Sequence, residues 1–406
     1  METKQKSNNM FLFFVVAVLF NMAASFAHPV TPTLIQEYHL NDYMFGVALA
    51  VMQVSYFLMS PFWGKLNNYI ASRYSMLICC LGYSVGQALF GMARTEGMVI
   101  FARVFAGMFT GGAFTSFLTY IVNTSPDMER GRNLTIFATI QTVGGAFGYF
   151  VGGFLGEVSL NLTFAAQAGC LALGGVLFFL ICQDDRPAGA GPIEPRRLIR
   201  EANPFAAFMA CRHFMTALFA MLFAAACLCN LGYVAFEQCF NYYIKDALGL
   251  TSKYNGLIKG VIGFVSLAAN ATICMWMIKK TNVRRSIVLV LTVMTAGIIG
   301  VVFADSTWPF MGLSVLVYAV YAVSLPLLQD LVARRGAKTS DSNLVMGFFN
   351  STRSLGGIVG SLCAGFLYSS SPKTPFLFAA AALGLSAVCA FFYYAAKNDP
   401  MADDVK

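Results

Sequence analysis

Charge is scarce in this chain, and the scarcity excludes most soluble functions. Charged residues make up 11% of the 406 residues, whereas a soluble domain carries about 25%. Hydrophobic residues make up 58%, and apolar surface of that extent causes aggregation in water unless something covers it. The composition therefore predicts an integral membrane protein that contacts a lipid bilayer.

Groups that perform catalysis or bind metals are also rare. The chain has only three histidines, and its apolar runs contain no paired carboxylates and no phosphate-binding loop. The eleven cysteines lie almost wholly within apolar runs, without the spacing of metal ligands, so we interpret them as small apolar filler. We therefore expect no enzyme activity, no cofactor and no metal site.

What the chain does have is a series of long apolar runs. A membrane-spanning helix needs about 20 mainly apolar residues, and twelve runs approach or exceed that length, six on each side of a polar stretch. The prediction is an all-α integral membrane protein with twelve transmembrane helices in two pseudo-symmetric six-helix bundles. The predicted domains are residues 1–182, a cytoplasmic linker at 183–205, and residues 206–406. The predicted spans are Phe11–Ile35, Phe45–Trp63, Ser75–Met92, Met98–Val122, Leu134–Leu155, Leu162–Cys182, Phe214–Ile244, Leu257–Ile278, Ile287–Ala304, Phe310–Leu331, Val345–Tyr368 and Phe376–Ala396.

Basic residues concentrate on one side of the predicted membrane. If Met1 lies in the cytoplasm, most of the 27 lysines and arginines fall on cytoplasmic segments, which is the bias that sets membrane topology. The net charge of +8 is therefore explained by insertion and indicates no nucleic-acid partner. We expect both termini in the cytoplasm and, in the absence of a targeting extension or large loops, a bacterial plasma membrane.

A glycine pattern occurs twice, at a constant offset of 212 residues (356 − 144). Small residues four apart on one helix face let two helices approach closely in lipid. Parallel repeats of half a chain are typical of one large class of secondary transporters. The first copy is Gly144, Gly148, Gly152 and Gly153, and the second is Gly356, Gly360, Ala364 and Gly365.

Polar residues inside the spans follow the same repeat. Asn21 and His28 lie seven residues apart in span one, as Asn230 and Glu237 do in span seven, so each pair returns to one helix face. Arg103 enters span four from the outside and reaches a similar depth. Ionisable groups at depth are costly and are functional candidates by default. These groups therefore predict an aqueous cavity that they share.

Several motifs resemble those of the major facilitator superfamily, most closely its drug:proton antiporter branch. Gly64, Asn68 and Arg73 lie in a stretch similar to the family's Gly-x-Leu-x-Asp-Arg-x-Gly-Arg-Arg loop, with Asn68 at the position of the usual acid. Arg103-Val-Phe-Ala-Gly107 is similar to the family's span-four motif. The glycine run in span five resembles the antiporter motif, with Tyr149 at the position of the usual proline.

The resemblance implies alternating access by two six-helix bundles around a cavity lined by spans one, four, seven and ten, in a protein that acts as a monomer. The interpretation is proton-coupled efflux of small lipophilic or drug-like molecules. In this hypothesis Glu237 carries the proton, Arg103 modulates the proton affinity of Glu237, and His28 is a second titrating group. The other candidates are cavity residues Asn21, Gln53, Gln141, Asn230, Gln238, Tyr318 and Tyr321, and gating or packing residues Gly64, Asn68, Arg73, Gly144, Gly148, Gly152, Gly153, Gly356, Gly360 and Gly365.

Two alternatives remain open from the sequence. A proton-coupled importer of a sugar, peptide or other metabolite would share this fold, although three tryptophans offer few platforms for sugar rings. A transport-inactive membrane receptor would also share it. The sequence does not identify the substrate or the direction of transport.

Overall fold

The computed structural model describes residues 2–186, 194–336 and 342–396. All regular secondary structure in these ranges is helical. Both chain ends and the middle of the predicted linker, residues 187–193, lie outside the described residues. The predicted cytoplasmic location of the termini therefore stays a prediction.

The helices of the described ranges are numbered in chain order. They are α1 (Glu2–Ala24), α2 (Thr31–Glu37), α3 (Met44–Leu66), α4 (Ser72–Gly91), α5 (Glu96–Thr124), α6 (Asp127–Val158), α7 (Leu160–Ile181), α8 (Pro195–Glu201), α9 (Ala206–Ala210), α10 (Ala217–Asp246), α11 (Ser252–Ala269), α12 (Met275–Lys280), α13 (Val283–Phe303), α14 (Thr307–Gly336), α15 (Ser342–Tyr368) and α16 (Thr374–Ala395). A π-helical segment, Asn270–Cys274, joins α11 to α12.

Ten helical segments of the described ranges are long and apolar enough to cross a membrane. The predicted count of twelve is therefore not confirmed by this criterion. The two other predicted spans correspond to α1, whose apolar part Asn9–Ala24 is shorter, and to α15, which begins with a polar stretch and includes Arg353. The all-helical membrane fold itself is confirmed.

The predicted continuous helix Phe11–Ile35 is wrong, because the structure interrupts it after Ala24. Pro29 has no N–H to donate to the carbonyl of Ser25. That carbonyl instead accepts from the N–H of His28 at 3.3 Å, a three-residue spacing that tightens the chain. Residues 25–30 consequently form a turn between α1 and α2.

The chain divides into two compact units. Unit 1 contains Met1–Met44, Val51–Pro204 and Gly249–Gly260, and unit 2 contains Phe45–Ala50, Phe205–Leu248 and Val261–Lys406. Apolar side chains fill both. In unit 1 the rings of Phe13, Phe20, Phe117 and Phe178 are fully buried and contact one another, with centroids as close as 4.7 Å for Phe117 and Phe178.

Unit 2 has an aromatic core of its own. Phe236 of α10 lies 5.7 Å from Phe376 of α16, and Phe240 lies 5.9 Å from Phe310 of α14. Offset and edge-on ring pairs of this kind stabilise a packed interior beyond the burial of their area. The two units are thus each organised around their own aromatic cluster.

The repeated glycines form one close helix contact in each unit. In unit 1, a methyl group on Gly148 of α6 would overlap the carbonyl oxygen of Met22 in α1 and lie 2.7 Å from Cβ of Ser25. In unit 2, a methyl group on Gly360 of α15 would overlap the carbonyl oxygen of Leu231 in α10. We call these contacts the glycine seams. Met22 and Leu231 are 209 residues apart (231 − 22), which is the offset of the polar pairs.

The last glycine of each repeat contacts a different helix. A Cβ on Gly153 would lie 2.9 Å from Cα of Gly256, within unit 1. Within unit 2, a Cβ on Gly46 would lie 2.8 Å from Cα of Gly365. Backbones approach this closely only where side chains are absent. The repeat therefore places two closely packed faces on α6 and on α15.

Asp185 stabilises the linker end of unit 1, which is the end where α7 stops. Its carboxylate accepts from the backbone N–H of Ser72 at 2.7 Å and from the Ser72 hydroxyl at 2.6 Å. It also accepts from the side chain of Asn123 at 3.1 Å. Because Ser72 begins α4, Asp185 satisfies one of the free N–H groups of that helix from a distant part of the chain.

Replacing Asp185 with Ala is expected to lower the free energy of unfolding of the purified protein by about 1 kcal/mol, the usual cost of losing a helix cap. The control is Asp184→Ala, since Asp184 is exposed and pairs with Arg73 at 3.1 Å, and exposed ion pairs contribute about 0–1 kcal/mol. Thermal melting in detergent measures both. Equal losses for the two variants would contradict the capping role.

Candidate functional site

Three half-buried polar residues of unit 2, Asn230, Tyr321 and Arg353, lie together. The side-chain amide of Asn230 donates to the backbone carbonyl of Arg353 at 2.7 Å. The hydroxyl of Tyr321 donates to the side-chain oxygen of Asn230 at 3.0 Å. The charge of the Arg353 guanidinium also interacts electrostatically with Tyr321. We call Asn230, Tyr321 and Arg353 the polar cluster of unit 2.

An aromatic platform lies against this cluster. The ring of Tyr233 stacks on that of Tyr321 with centroids 3.3 Å apart and planes within 1°. Tyr233 lies one turn after Asn230 on α10, so the helix geometry places both beside Tyr321 of α14. The polar cluster is therefore bordered by a flat apolar surface.

Glu237 lies further along α10, on the helix face of Asn230. Seven residues separate the two, about 10 Å along the helix axis. The Glu237 side chain is half-buried, and it interacts electrostatically with Tyr321, as Arg353 does. Glu237 and Arg353 are thus opposite charges around one tyrosine.

The other predicted residues of unit 2 lie near these groups. Gln238 follows Glu237 on α10 and is half-buried. Tyr318 is buried, with its ring 5.4 Å from Phe236 and 5.5 Å from Phe240. It belongs to the aromatic core, and its role in substrate binding stays a prediction.

Arg103 is buried inside unit 1, with only 5% of its surface exposed. Its guanidinium carbon lies 3.6 Å from the centroid of the Phe90 ring, and one of its nitrogens lies 3.5 Å from the sulfur of Met52. Among the described residues its Nε has no hydrogen-bond partner. A cation over an aromatic face is stabilised by the ring, but the ring stabilises the positive charge far less than a carboxylate would.

The end of α1 is held by side chains of other helices. Because His28 bonds to Ser25, the carbonyl of Ala24 has no partner within its own helix. It accepts from the hydroxyl of Tyr83 in α4 at 3.4 Å and from the amide of Gln167 in α7 at 3.3 Å. The backbone carbonyl that the interruption leaves free is thereby hydrogen-bonded inside unit 1, as buried backbone groups require.

His28 lies in this turn and stacks on Tyr149 of α6. Their ring centroids are 5.1 Å apart and their planes differ by 9°. Nζ of Lys259, a buried residue of α11, lies 5.3 Å from the centroid of the same tyrosine ring. The tyrosine that replaces the motif's usual proline therefore contacts two groups able to carry positive charge.

The predicted cavity residues of unit 1 lie in different surroundings. Asn21 is buried, and its amide donates to the carbonyl of Ala17 in its own helix at 2.7 Å, beside Gly144. Gln53 of α3 and Gln141 of α6 are half-buried. Their roles in substrate binding stay predictions.

The loop motif after α3 pairs its arginine with an acid from elsewhere. Asn68, at the position of the usual acid, is exposed, and Arg73 pairs with Asp184, which follows α7. Gly64 contacts Thr115 loosely, at 3.4 Å from a Cβ placed there. The linker helix α8 joins the same end of unit 1, where Glu201 lies 3.6 Å from Lys65 of α3.

That contact has an electrostatic effect outside the membrane. A hydrogen bond from Arg197 at 2.9 Å lowers the pKa of the Glu201 carboxyl below its ordinary value. The carboxylate therefore stays charged and available to Lys65 across the physiological pH range.

A cavity of about 410 Å³ opens at the linker end of unit 1. Met10, Phe14 and Ile136 form its apolar part, and the ion pair of Glu129 with Arg132, at 2.8 Å, lies at its edge. None of the predicted site residues lines it. Within the described ranges, no group of three or more His, Cys, Asp or Glu side chains could hold a metal ion.

Sequence reasoning missed three participants. Lys259 lies only two residues inside its predicted span, so its burial was not expected. Arg353 lies at depth in span eleven, and the rule that singled out Arg103 applies equally to it. Tyr233 carried no signal, because nothing in the sequence separates a stacking tyrosine from the other aromatic residues of a span.

Two helical units related by a sequence repeat, with glycine seams and charged groups at membrane depth, are the architecture of a secondary transporter. The family model described as Major Facilitator Superfamily matches residues 13–336 and 240–405. The chain belongs to this superfamily of membrane transporters for small molecules. The prediction made from its motifs is confirmed.

Two similar proteins are named as drug-resistance proteins of bacteria. The chain is 23% identical over 384 residues to quinolone resistance protein NorA of Staphylococcus aureus, and the aligned region covers 90% of this chain and 90% of that protein. It is 23% identical over 365 residues to multidrug resistance protein 1 of Bacillus subtilis, with 88% of this chain and 89% of that protein covered.

A solved structure shows the same fold. The D-xylose–proton symporter matches with a TM-score of 0.71 and 15% identity, over 97% of this chain and 98% of that one. At this identity the likeness concerns architecture and not substrate. The chain thus shares its fold with a sugar–proton symporter.

Proposed function

We propose that this protein exports small lipophilic molecules across a bacterial plasma membrane in exchange for protons, with the linker end of unit 1 in the cytoplasm. The observation that carries the proposal is Glu237, a half-buried carboxyl of α10 that shares a helix face with Asn230 and its polar cluster. The two bacterial relatives, named for quinolone and multidrug resistance, support export over import.

The exchange follows from competition at one carboxylate. A proton neutralises Glu237, and a basic group of the substrate is attracted only to its charged form, so the two exclude each other. Alternating access then carries the substrate outward and the proton inward. No covalent chemistry is needed.

Arg103 and His28 are assigned supporting roles within unit 1. Arg103 has an aromatic ring and a sulfur beside it instead of a carboxylate, so its charge is only weakly compensated and responds to any change in nearby charge. His28 lies at the interruption between α1 and α2, where it contacts Tyr149. An imidazole titrates near neutral pH, which makes His28 the second candidate for a protonation step.

The test is substrate-induced proton movement in vesicles that contain the purified protein. A pH-sensitive dye inside the vesicles reports protons after addition of a lipophilic cation or a quinolone, with radiolabelled substrate followed in parallel. We expect protons and substrate to move in opposite directions. Movement in the same direction would identify an importer by symport, and saturable binding without either flux would identify a receptor.

A further inference from the structure

The cavity of about 410 Å³ at the linker end of unit 1 takes no part in the proposed proton exchange. It is lined by α1, by α6 and by the turn that joins α5 to α6. Small-molecule pockets in proteins have volumes of about 300–1,000 Å³. The cavity is therefore large enough for a ligand, and its walls indicate the chemistry of that ligand.

The cavity lies at the level where the membrane-spanning segments begin. The apolar parts of α1 and α6 are Asn9–Ala24 and Met128–Val158, and the lining residues come from the first turns of both. Phe14 and Ile136 belong to the apolar wall. Phe11, a further lining residue, exposes 64% of its surface. In a bilayer the acyl chains cover such apolar surface, so the wall continues into the region that acyl chains occupy.

The polar part of the wall carries one negative and one positive side chain. Glu129 and Arg132 of α6 both line the cavity and pair with each other at 2.8 Å. About half of the Glu129 side chain and two thirds of the Arg132 side chain are exposed. An exposed ion pair of this kind contributes little to stability, so both groups exchange their partner at low cost.

Hydrogen bonds hold this polar wall in place. The side-chain amide of Asn133, a buried lining residue, donates to the hydroxyl of Ser125 at 2.9 Å. The backbone N–H of Glu129 donates to the carbonyl of Pro126 at 2.9 Å. The turn before α6 and the first turn of α6 are thus fixed without a ligand, which lowers the entropic cost of binding one.

Two adjacent charges of opposite sign select a ligand that carries both. A simple anion meets Glu129 as well as Arg132, and a simple cation meets the same pair, so repulsion offsets attraction in each case. A headgroup with a phosphate and an ammonium matches both side chains. Its phosphate accepts from the guanidinium in a bidentate manner, and its ammonium donates N–H bonds to the carboxylate. A quaternary ammonium has no N–H to donate.

We propose that this cavity binds a phospholipid whose headgroup carries a primary ammonium, phosphatidylethanolamine. Its phosphate lies on Arg132, its ammonium on Glu129, and the beginning of its acyl chains against Phe11 and Phe14. Because α1 and α6 also form the glycine seam of unit 1, a lipid between their ends ties the same two helices together. The inference concerns a bound lipid and does not depend on the proposed function.

Native mass spectrometry of the purified, delipidated protein in detergent tests the site. The probes are dioleoyl phosphatidylethanolamine, phosphatidylcholine and phosphatidylglycerol, which share acyl chains and differ in headgroup. The dissociation constant of the first bound lipid is measured for each. We expect the wild-type protein to bind phosphatidylethanolamine at least about tenfold more tightly than either other lipid, because only its headgroup donates hydrogen bonds from an ammonium to a charged acceptor.

Three variants separate the contributions of the walls. Glu129→Gln should bring phosphatidylethanolamine and phosphatidylcholine within about threefold of each other and strengthen phosphatidylglycerol, because the repelling charge is gone. Arg132→Gln should weaken phosphatidylethanolamine at least about tenfold. Ile136→Trp keeps both charges, fills the apolar part of the cavity and should also weaken it. All three side chains are exposed, so the variants should fold.

Arg197→Gln is the matched control, since it breaks an exposed pair of the same kind, with Glu201 of α8 at 2.9 Å, away from the cavity. This variant should bind all three lipids like the wild type. An equal loss in Arg197→Gln and Arg132→Gln would count against the site.

Equal binding of phosphatidylethanolamine and phosphatidylcholine by the wild-type protein overturns the proposal. A preference that survives unchanged in Glu129→Gln overturns it as well. Tightest binding of phosphatidylglycerol by the wild-type protein would also refute it, because that order indicates a general attraction of anionic lipids to basic residues. The assay uses neither substrate nor gradient, so its result is independent of transport.

Discussion

Replacement of Glu237 with Gln is expected to reduce substrate transport driven by a pH gradient to the level of protein-free vesicles. The amide keeps the size of the side chain and hydrogen-bonding capacity but neither gains nor loses a proton. A carrier that cannot release its proton stays in one half of the exchange cycle. The measurement is radiolabelled substrate uptake into inside-out vesicles, with and without an imposed pH gradient.

Glu157→Gln provides the matched control for this substitution. Glu157 is an exposed carboxylate at the end of α6 that accepts from the backbone N–H of Lys253 at 3.2 Å, and an amide oxygen can accept the same bond. This variant should transport like the wild type. If Glu237→Gln protein, inserted at normal levels, still transports in response to pH, then Glu237 is not the proton carrier.

The second large effect concerns the glycine seams. Gly148→Ala and Gly360→Ala should each lower the free energy of unfolding by about 1–3 kcal/mol, the range for overpacking a close contact. Each added methyl group meets a backbone carbonyl oxygen, of Met22 or Leu231, and not a movable side chain. Thermal melting of detergent-solubilised protein measures the loss.

Two other glycines serve as controls for the seams. A methyl group on Gly145 would meet only Ser25 Oγ at 3.6 Å, and one on Gly347 would meet no atom within 4 Å. Alanine has a higher helix propensity than glycine by about 1 kcal/mol, so Gly145→Ala and Gly347→Ala should leave the protein equally stable or more stable. Destabilisation by all four substitutions would show that the seams have no special role.

Much of the fold could be predicted from the sequence because lipid imposes simple rules. Long apolar runs and paired glycines each have one physical interpretation in a bilayer, and the contacts of Gly148 and Gly360 follow the repeat that the sequence shows. The interruption after Ala24 was missed, although Pro29 was its visible cause. A proline can also be absorbed as a kink in a continuous span, and only neighbouring side chains decide between the two outcomes.

The candidate site was less accessible to sequence reasoning. Helical spacing correctly suggested that Asn230 and Glu237 share a face, but it gave no information on which other helices approach that face. Arg353, Tyr321 and Asn230 lie far apart in the chain and meet only through the packing of α10, α14 and α15. Asn21 occupies the position equivalent to Asn230 in the repeat, yet its side-chain amide bonds a carbonyl of its own helix. The repeat did not predict this difference.

The carbonyl of Ala24 joins residues of three helices, α1, α4 and α7, so that substitutions at these positions depend on one another. Its two donors, Tyr83 and Gln167, bond a carbonyl that the interruption at Pro29 leaves without a helical partner. A lineage that lost the proline would restore the helical bond, and because a carbonyl oxygen has two lone pairs, one of the two buried donors would lose its acceptor, a state costly enough to favour compensatory substitutions. Positions 29, 83 and 167 should therefore coevolve, so that natural variants change them together or not at all.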